Sequence, residues 1–165
     1  MTLPRLVLVT GSRALAGVVA ARQWVDDRLG ALTPAVLVTG DACGPDAWAA
    51  SWARRHKSWC RLHLTSDPNP LRRYDLRGRI TDTDDRTTGA WTTAEPPADD
   101  AVRALWGAWC LHRDRVMVRH VARRADRYAV TVLALTSRSS DTKGTAFTVG
   151  RAKAAGLVVV AEAWP

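Results

Sequence analysis

The sequence lacks the features of a membrane, secreted or metal-binding protein. No stretch reaches the roughly 18 consecutive apolar residues of a membrane-spanning helix. Residues 1–5 lead directly into an apolar strand, without the longer apolar run and small-residue cleavage site of a signal peptide. Only three cysteines are present, Cys43, Cys60 and Cys110, and their spacing fits neither a disulfide framework nor a zinc site. We therefore expect a cytoplasmic protein with reduced thiols, no membrane association and no bound metal.

Lysine is scarce, but positive charge is not. Only three of the 24 basic residues are lysines, and the formal net charge is +8 over 165 residues. A basic protein attracts phosphate groups, so nucleic acid or an anionic metabolite is the expected partner. Seven arginines fall within residues 103–127, opposed only by Asp114 and Asp126. This segment is either a solvated helix face or a surface that contacts phosphates.

The pattern of apolar residues predicts one α/β domain over residues 1–165. Two uninterrupted apolar runs, at 6–9 and 35–38, are typical of strands buried on both faces of a parallel sheet. Further strands are predicted at 59–64, 129–136 and 157–161. Helices are predicted between them, at 14–32, 45–57, 101–125 with a break near His112, and 146–155. This alternation predicts a Rossmann-like three-layer sandwich with a mostly parallel central sheet.

Residues 65–100 differ from the rest of the chain in composition. They are rich in Asp, Thr, Pro, Gly and Arg and contain few candidates for the core. A stretch of this length without an apolar pattern is usually a functional loop or is disordered. We expect a polar insertion in the domain.

The first two strand-to-helix loops are predicted to bind a ligand, because such loops gather at one edge of an open parallel sheet. In the first loop, Gly11 permits close approach, Ser12 offers a hydroxyl and Arg13 can pair with a phosphate. The second loop offers backbone N–H groups at a helix start, and its candidate residues are Gly40, Cys43, Gly44 and Asp46. Asp46 either caps its own helix or accepts a hydrogen bond from a ribose hydroxyl. Cys43 is interpreted as a small residue where no bulk fits, not as a nucleophile.

The third loop has the composition of a phosphate-binding loop. Its candidate ligand-binding residues combine hydroxyls, a lysine and a Gly-Thr pair at a helix start: Ser139, Ser140, Lys143, Gly144 and Thr145. It is not a Walker A loop, because the order is Lys-Gly-Thr and the Gly-x-x-x-x-Gly-Lys-Ser/Thr spacing is absent. Arg113 and Asp114, in the arginine-rich helix, complete the candidate site. Arg113 is expected to face the strand ends if a helix begins near His112.

Taken in order, these motifs resemble those of the SLOG superfamily, which groups the DNA-processing protein A proteins with the Lonely Guy phosphoribohydrolases. Gly11-Ser12-Arg13 matches the Gly-Ser-Arg that ends the first strand of its YspA-like branch, and residues 40–46 match Gly-x-Ala-x-Gly-x-Asp. Arg113-Asp114 matches a helical Arg-Asn motif in part, and residues 140–145 are a broadened Ser-x-Gly-Thr. The resemblance covers nearly the whole chain. It implies a Rossmann-like fold that binds nucleotides, nucleotide-derived signals or nucleic acid, with self-association.

Two departures from the superfamily bear on chemistry. Its phosphoribohydrolase branch carries Pro-Gly-Gly-x-Gly-Thr-x-x-Glu, but here Thr148 stands at the glutamate position and the Pro-Gly-Gly is absent. The usual acid for cleaving an N-glycosidic bond is therefore missing; the candidates to replace it are Asp41, Asp46, Asp114 and Asp141, with Asp46 as the main one. The second departure is Asp114 in place of asparagine. It puts a negative charge beside the expected phosphate site, which would weaken phosphate binding or coordinate a metal.

The function predicted is binding or sensing of a nucleotide or nucleotide-derived ligand, without a cofactor, and the resemblance implies a role in bacterial stress or conflict signalling. One alternative is an N-glycosidic hydrolase acting on a nucleotide. A second is single-stranded DNA binding, as in DNA-processing protein A, which the net charge and the arginine-rich segment favour. A homo-oligomer is expected from the resemblance. Its interface would be an exposed edge strand or the Trp-rich helix at 102–111, unless that helix is buried within one subunit.

Overall fold

The computed structural model describes residues 2–63, 83–84, 100–138 and 143–165. The strands in this part of the chain are β1 (Arg5–Gly11), β2 (Val36–Gly40), β3 (Trp59–His63), β4 (Thr83–Asp84), β5 (Ala129–Ser137) and β6 (Val158–Trp164). The helices are α1 (Val19–Leu32), α2 (Pro45–Arg55), α3 (Asp100–Ala122) and α4 (Lys143–Ala154), with a short 3₁₀ helix at Arg13–Leu15.

The strands form one sheet in the order β4-β3-β2-β1-β5-β6. The five longer strands are mutually parallel, and the short β4 pairs antiparallel with β3. The predicted α/β fold with a mostly parallel sheet is confirmed. The chain runs outward from β1 to β3 and then returns to the other side of β1 as β5. The order therefore reverses between β1 and β5, which is the place where open α/β sheets form a ligand-binding crevice.

Helices cover both faces of the sheet and make the three layers. Val7 and Val9 of β1 point into the layer that contains Trp48 and Trp52 of α2 together with residues of α1. Their neighbours Leu6 and Leu8 point to the opposite layer, which contains residues of α3 and α4. Successive strand residues alternate between faces, so burial of both faces requires the uninterrupted apolar run that the sequence shows.

The structure corrects several predicted helix and strand boundaries. The break near His112 is wrong, because α3 runs unbroken from Asp100 to Ala122. Residues 14–32 do not form one helix, because the 3₁₀ helix at Arg13–Leu15 precedes α1. Val19, the first residue of α1, is 81% exposed. The buried face of α1 is instead the i, i+4, i+8 row of Ala21, Val25 and Leu29.

At the other end of the chain, α4 begins at Lys143, earlier than predicted, and β6 extends to Trp164 because it pairs with β5 as far as Ser137. Nearly all of the predicted insertion at 65–100 lies outside the described residues. No helix in the part of the chain that the structure describes is long and apolar enough to cross a membrane.

Candidate functional site

A cavity of about 660 Å³ opens between the carboxyl ends of β1 and β5, where the strand order reverses. Its walls come from the loop after β1, the first turn of α4 and one face of α3. Eight of the predicted site residues line it: Gly11, Ser12, Arg13, Arg113, Asp114, Lys143, Gly144 and Thr145. Their proximity agrees with the expected gathering of strand-end loops, and their binding of a ligand stays a prediction.

The loop after β1 is held against its neighbours by close backbone contacts. The Ser12 N–H donates to the carbonyl of Leu135 in β5 at 2.9 Å, and the Ser12 hydroxyl accepts from the Ala14 N–H at 3.3 Å. Gly11 lies directly against α2, and an added Cβ there would come within 2.7 Å of the Pro45 Cβ. Glycine is required at this position because no larger residue allows the two loops to approach this closely.

Arg13 is held over the cavity by α3. Its guanidinium carbon lies 4.1 Å from the centre of the Trp106 ring, and its Nη2 is 3.6 Å from the Sγ of Cys110. The Nε atom of Arg13 is buried and has no partner in the described part of the chain. A cation–π contact keeps the charge in place without neutralising it. Arg13 forms no ion pair among the described residues and therefore presents its positive charge to whatever enters the cavity.

Arg113 is the centre of a buried ionic cluster, which we call the Arg113 cluster and which comprises Arg113, Asp41, Asp46 and Asp114. Its Nη1 donates to Asp41 Oδ1 at 2.6 Å. Its Nε and Nη2 both donate to Asp114 Oδ1, at 2.9 and 2.7 Å. Burial opposes the charged guanidinium, but the carboxylates of Asp114 and Asp41 raise the pKa of Arg113 above its ordinary value. No helix begins near His112, so the condition on which Arg113 was expected to face the strand ends is not met; Arg113 lines the cavity with its donors engaged by carboxylates.

Asp46 is the third carboxyl group of this cluster. Its side chain is buried, and Oδ1 has no hydrogen-bond partner among the residues described. Burial raises the pKa of Asp46 from 3.8 to about 7. Arg113 lowers it, and the charges of Asp114 and Asp41 add to the rise. Asp46 does not cap α2, whose N-cap is Gly44. The capping interpretation is therefore wrong.

The second loop contributes little to the cavity wall. Of this loop only Ala42 lines the cavity in the described structure, and Gly40, Cys43, Gly44 and Asp46 lie outside its wall. Gly44 has φ +82°, and an added Cβ there would lie 3.1 Å from the Ser12 carbonyl. Gly40 passes so close to the cluster that an added Cβ would lie 2.6 Å from Asp46 Oδ2. A ligand contact for these four residues stays a prediction.

The first turn of α4 closes the cavity on the β5 side. Lys143 is exposed, Gly144 is half-buried and Thr145 is buried. Thr148, at the position of the phosphoribohydrolase glutamate, is buried and donates to the Gly144 carbonyl at 3.0 Å, so its hydroxyl is used within the helix. Ser139 and Ser140 lie outside the described residues.

Sequence reasoning missed most of the α3 wall. Arg103, Trp106, Gly107, Cys110 and Leu111 line the cavity, but the segment 102–111 was expected to be a subunit interface or a buried helix. The spacing of Trp106, Cys110 and Arg113 is four and then three residues, which places them on one helix face. That spacing was the signal available in the sequence. It indicates a cavity wall only once Arg13, which is distant in the sequence, is known to contact the same helix face. No group of three or more metal-ligating side chains occurs among the residues that the structure describes.

Comparison with known proteins supports the fold. No protein-family model matches the chain, and no curated protein matches it at a significant level. Among solved structures, the chain is similar to the X-ray structure of DNA processing protein A from Streptococcus pneumoniae, with a TM-score of 0.57 and 18% sequence identity. The alignment covers 96% of this chain and 50% of that one, so this chain spans half the length of that protein. At this identity the similarity shows a shared fold.

Proposed function

We propose that the chain is a SLOG-superfamily domain of the YspA-like branch, and that it binds or senses a phosphate-bearing nucleotide or nucleotide-derived ligand in the cavity between β1 and β5. The observation that carries the proposal is that Arg13, which forms no ion pair among the described residues, lines the same cavity as the first turn of α4. The N-terminal turn of a helix directs N–H groups and the positive end of its dipole at an anion. Lys143 and Arg103 line the same walls, and Arg103 also pairs with Asp100 at 3.0 Å. The cavity volume lies within the range of small-molecule sites.

The geometry favours binding over hydrolysis. An N-glycosidic hydrolase needs a carboxyl group within reach of the sugar. Of the four aspartates considered as replacements for the missing glutamate, Asp41 and Asp46 do not line the cavity and Asp141 lies outside the described residues. Asp114 lines it, but Arg113 holds one of its oxygens. Thr148 has no acid function.

A thermal-shift titration with nucleoside mono-, di- and triphosphates tests the proposal. A ligand that binds only the folded state raises the melting temperature in proportion to ln(1 + [L]/Kd). We expect a saturable rise with at least one nucleotide and, by chromatography of the same samples, no free base. A released base would establish hydrolysis. The absence of a shift with every nucleotide up to millimolar concentration would refute the proposal.

Arg13→Gln with a matched control locates the binding. The substitution removes the cavity charge and should weaken nucleotide affinity by about tenfold or more, as expected for a lost charge-assisted hydrogen bond. Arg151→Gln, which removes one exposed charge near the end of α4, is the control and should leave affinity within about twofold. Equal effects of the two variants would show that net charge, not the cavity, determines binding.

A second candidate function is binding of single-stranded nucleic acid, favoured by a stripe of exposed arginines. Arg115, Arg119 and Arg123 are spaced four residues apart along and just after α3, and all three are exposed. A charged row of this kind fits a phosphate backbone. The solved structure to which the chain is similar is that of a protein named for DNA processing.

The salt dependence of oligonucleotide binding tests this candidate. Each phosphate contact contributes about −0.7 to the slope of log K against log salt for single strands. Replacement of Arg115, Arg119 and Arg123 by Gln should reduce the slope by about 2. The same replacement at three exposed arginines of the opposite layer, Arg22, Arg28 and Arg54, is the control. Equal slopes for the two triple variants would exclude Arg115, Arg119 and Arg123 as the residues that contact the nucleic acid.

Self-association through β6 belongs to the same proposal. In the described structure β6 is an edge strand, and Val158 is 62% exposed. An open edge with exposed apolar residues can pair with the same strand of a second copy. Light scattering should give a dimer mass for the natural chain and a monomer mass after Val160→Pro, which cannot donate a hydrogen bond at the centre of the strand.

A further inference from the structure

The two oxygens of the Asp114 carboxylate have different surroundings. Oδ1 accepts two hydrogen bonds from Arg113, at 2.9 and 2.7 Å. Oδ2 accepts none from the residues that the structure describes. Asp114 is only 2% exposed, yet it lines the cavity. Because Oδ2 has no hydrogen-bond partner among the described residues and Asp114 lines the cavity, Oδ2 is an acceptor that an occupant of the cavity can use.

Oδ2 faces the first turn of α4. A Cβ added to Gly144 would lie 3.6 Å from it, in ordinary van der Waals contact. The first N–H groups of a helix have no acceptor within the helix. The cavity therefore places a carboxylate oxygen next to a turn that supplies donors. Arg13 lines the same cavity.

The chemistry of the carboxylate decides which group fits between Oδ2 and α4. The two hydrogen bonds from Arg113 engage Oδ1 and leave Oδ2 as an acceptor. A phosphate oxygen placed at Oδ2 would meet a second anionic oxygen and would be repelled, because phosphate and carboxylate oxygens are both acceptors. A hydroxyl fits both sides, since it donates to the carboxylate and accepts from an N–H. Arg13 would then bind the phosphate of the ligand.

We propose that Asp114 is a specificity-determining residue that accepts a hydrogen bond from a sugar hydroxyl, so that the cavity selects ribonucleotides over their deoxy counterparts. The inference rests on the proposed function and deepens it. It assigns the sugar to Asp114 Oδ2 and Gly144, and the phosphate to Arg13. It also gives a physical reason for an aspartate at this position, because asparagine would offer a weaker, uncharged acceptor.

Calorimetric titration with matched nucleotides tests the inference on the unaltered chain. The probes are the four ribonucleoside 5′-monophosphates and their 2′-deoxy and 3′-deoxy forms. Loss of a hydroxyl that donates to a buried carboxylate should weaken binding by about 10- to 100-fold. We expect that loss for the analogue that lacks the recognised hydroxyl. Equal affinity of all three forms would overturn the inference and leave the proposed function intact, whereas no binding by any form would overturn both.

Gly144→Ala gives an independent test that does not disturb the buried cluster. The added methyl group makes only ordinary contact with Asp114 and favours the helix, so the fold should be retained. It occupies the space of the hydroxyl. Affinity for the ribonucleotide should therefore fall by about tenfold, while affinity for the deoxy analogue changes little. A parallel loss for both nucleotides would assign Gly144 to another part of the ligand and count against the inference.

Asp114→Asn tests the carboxylate itself, with the exposed Asp126→Asn as control. The discrimination between ribo and deoxy forms should shrink to within about threefold in the first variant and persist in the second. Retained discrimination in Asp114→Asn would overturn the assignment. Should that variant fail to fold, the Gly144→Ala result decides.

Discussion

Nη1 of Arg113 lies 2.6 Å from Oδ1 of Asp41, and this ion pair joins α3 to the loop after β2 across 72 residues of sequence. Both side chains are buried, with 6% and 4% of their surface exposed. A second ion pair joins the same guanidinium to Asp114. Because the pairs are desolvated, removing one partner leaves an uncompensated charge in the interior. The contact therefore orders two of the elements around the cavity.

Arg113→Met should destabilise the fold strongly. It leaves the carboxylates of Asp41 and Asp114 buried without their cation, a change that costs about 3–5 kcal/mol. Arg55→Met is the matched control, because its bridge to Asp26 has a similar distance of 3.0 Å but exposes 43% and 26% of the two side chains. An exposed pair contributes at most about 1 kcal/mol. The free energy of unfolding in urea measures both, and losses of similar size would contradict the structural role assigned to Arg113.

Stability should fall as the pH rises from about 4 to about 7. The pKa of Asp46 is raised from 3.8 to about 7 in the folded chain, chiefly by burial, so the folded state holds a proton that the unfolded state has released. The free energy of unfolding then decreases with pH across this window, by at most about 1.4 kcal/mol per pH unit from this group. Below about pH 4 Asp46 is protonated in both the folded and the unfolded chain, and its full contribution to the free energy of unfolding is present.

Asp46→Asn isolates this contribution. The amide cannot ionise, so the decrease between pH 4 and pH 7 should become shallower than in the natural chain. Asp126→Asn changes an exposed carboxylate and should leave the profile unchanged. Urea unfolding at half-unit pH steps provides the measurement. A profile for Asp46→Asn that runs parallel to that of the natural chain would show that Asp46 is ionised throughout.

Gly40→Ala should be among the most damaging small substitutions in the chain. The added Cβ would lie 2.6 Å from Asp46 Oδ2 and 2.8 Å from the guanidinium carbon of Arg113. Both neighbours are buried, so they cannot move aside without breaking the Arg113 cluster, and we expect a loss of about 2–4 kcal/mol. Gly30→Ala in α1 meets nothing within 4 Å and should stabilise by about 0.5–1 kcal/mol. Thermal unfolding of the two variants measures this difference in stability. An unchanged melting temperature for Gly40→Ala would contradict the close packing of Gly40 against the Arg113 cluster.

The parts of the fold that local patterns specify were predictable. The run at Leu6–Val9 needs two buried faces, and it forms β1 at the centre of the sheet. Strand boundaries that depend on pairing with residues distant in the sequence were not predictable. The last residues of β6 are exposed and polar in part, and they form a strand because β5 pairs with them up to Trp164. Pairing of this kind overrides local propensity.

The site was predictable to the extent that topology determines it. Loops after parallel strands meet at one edge, and this placed Ser12 and Gly144 at one cavity before any contact was known. The partners of Arg113 were not predictable, because its bond to Asp41 joins residues that share no local motif. The capping alternative for Asp46 was wrong for the same reason, because burial and the Arg113 cluster determine the state of its carboxyl group. Its contact with a ligand stays a prediction.

Nucleotide binding in the cavity should protect Cys110 from alkylation. The Cys110 sulfur lines the cavity and lies 3.6 Å from Arg13 Nη2, so a ligand phosphate on Arg13 would block its approach from solvent. At a nucleotide concentration of about ten times Kd, roughly one tenth of the protein is free, and iodoacetamide labelling of Cys110 should slow about tenfold. Cys60 is the internal control, since it is buried in the other layer of the sheet and does not line the cavity. Peptide mass spectrometry reads both sites in one sample. An unchanged rate at Cys110, at a concentration that raises the melting temperature, would place the ligand outside this cavity and direct attention to the arginines of α3.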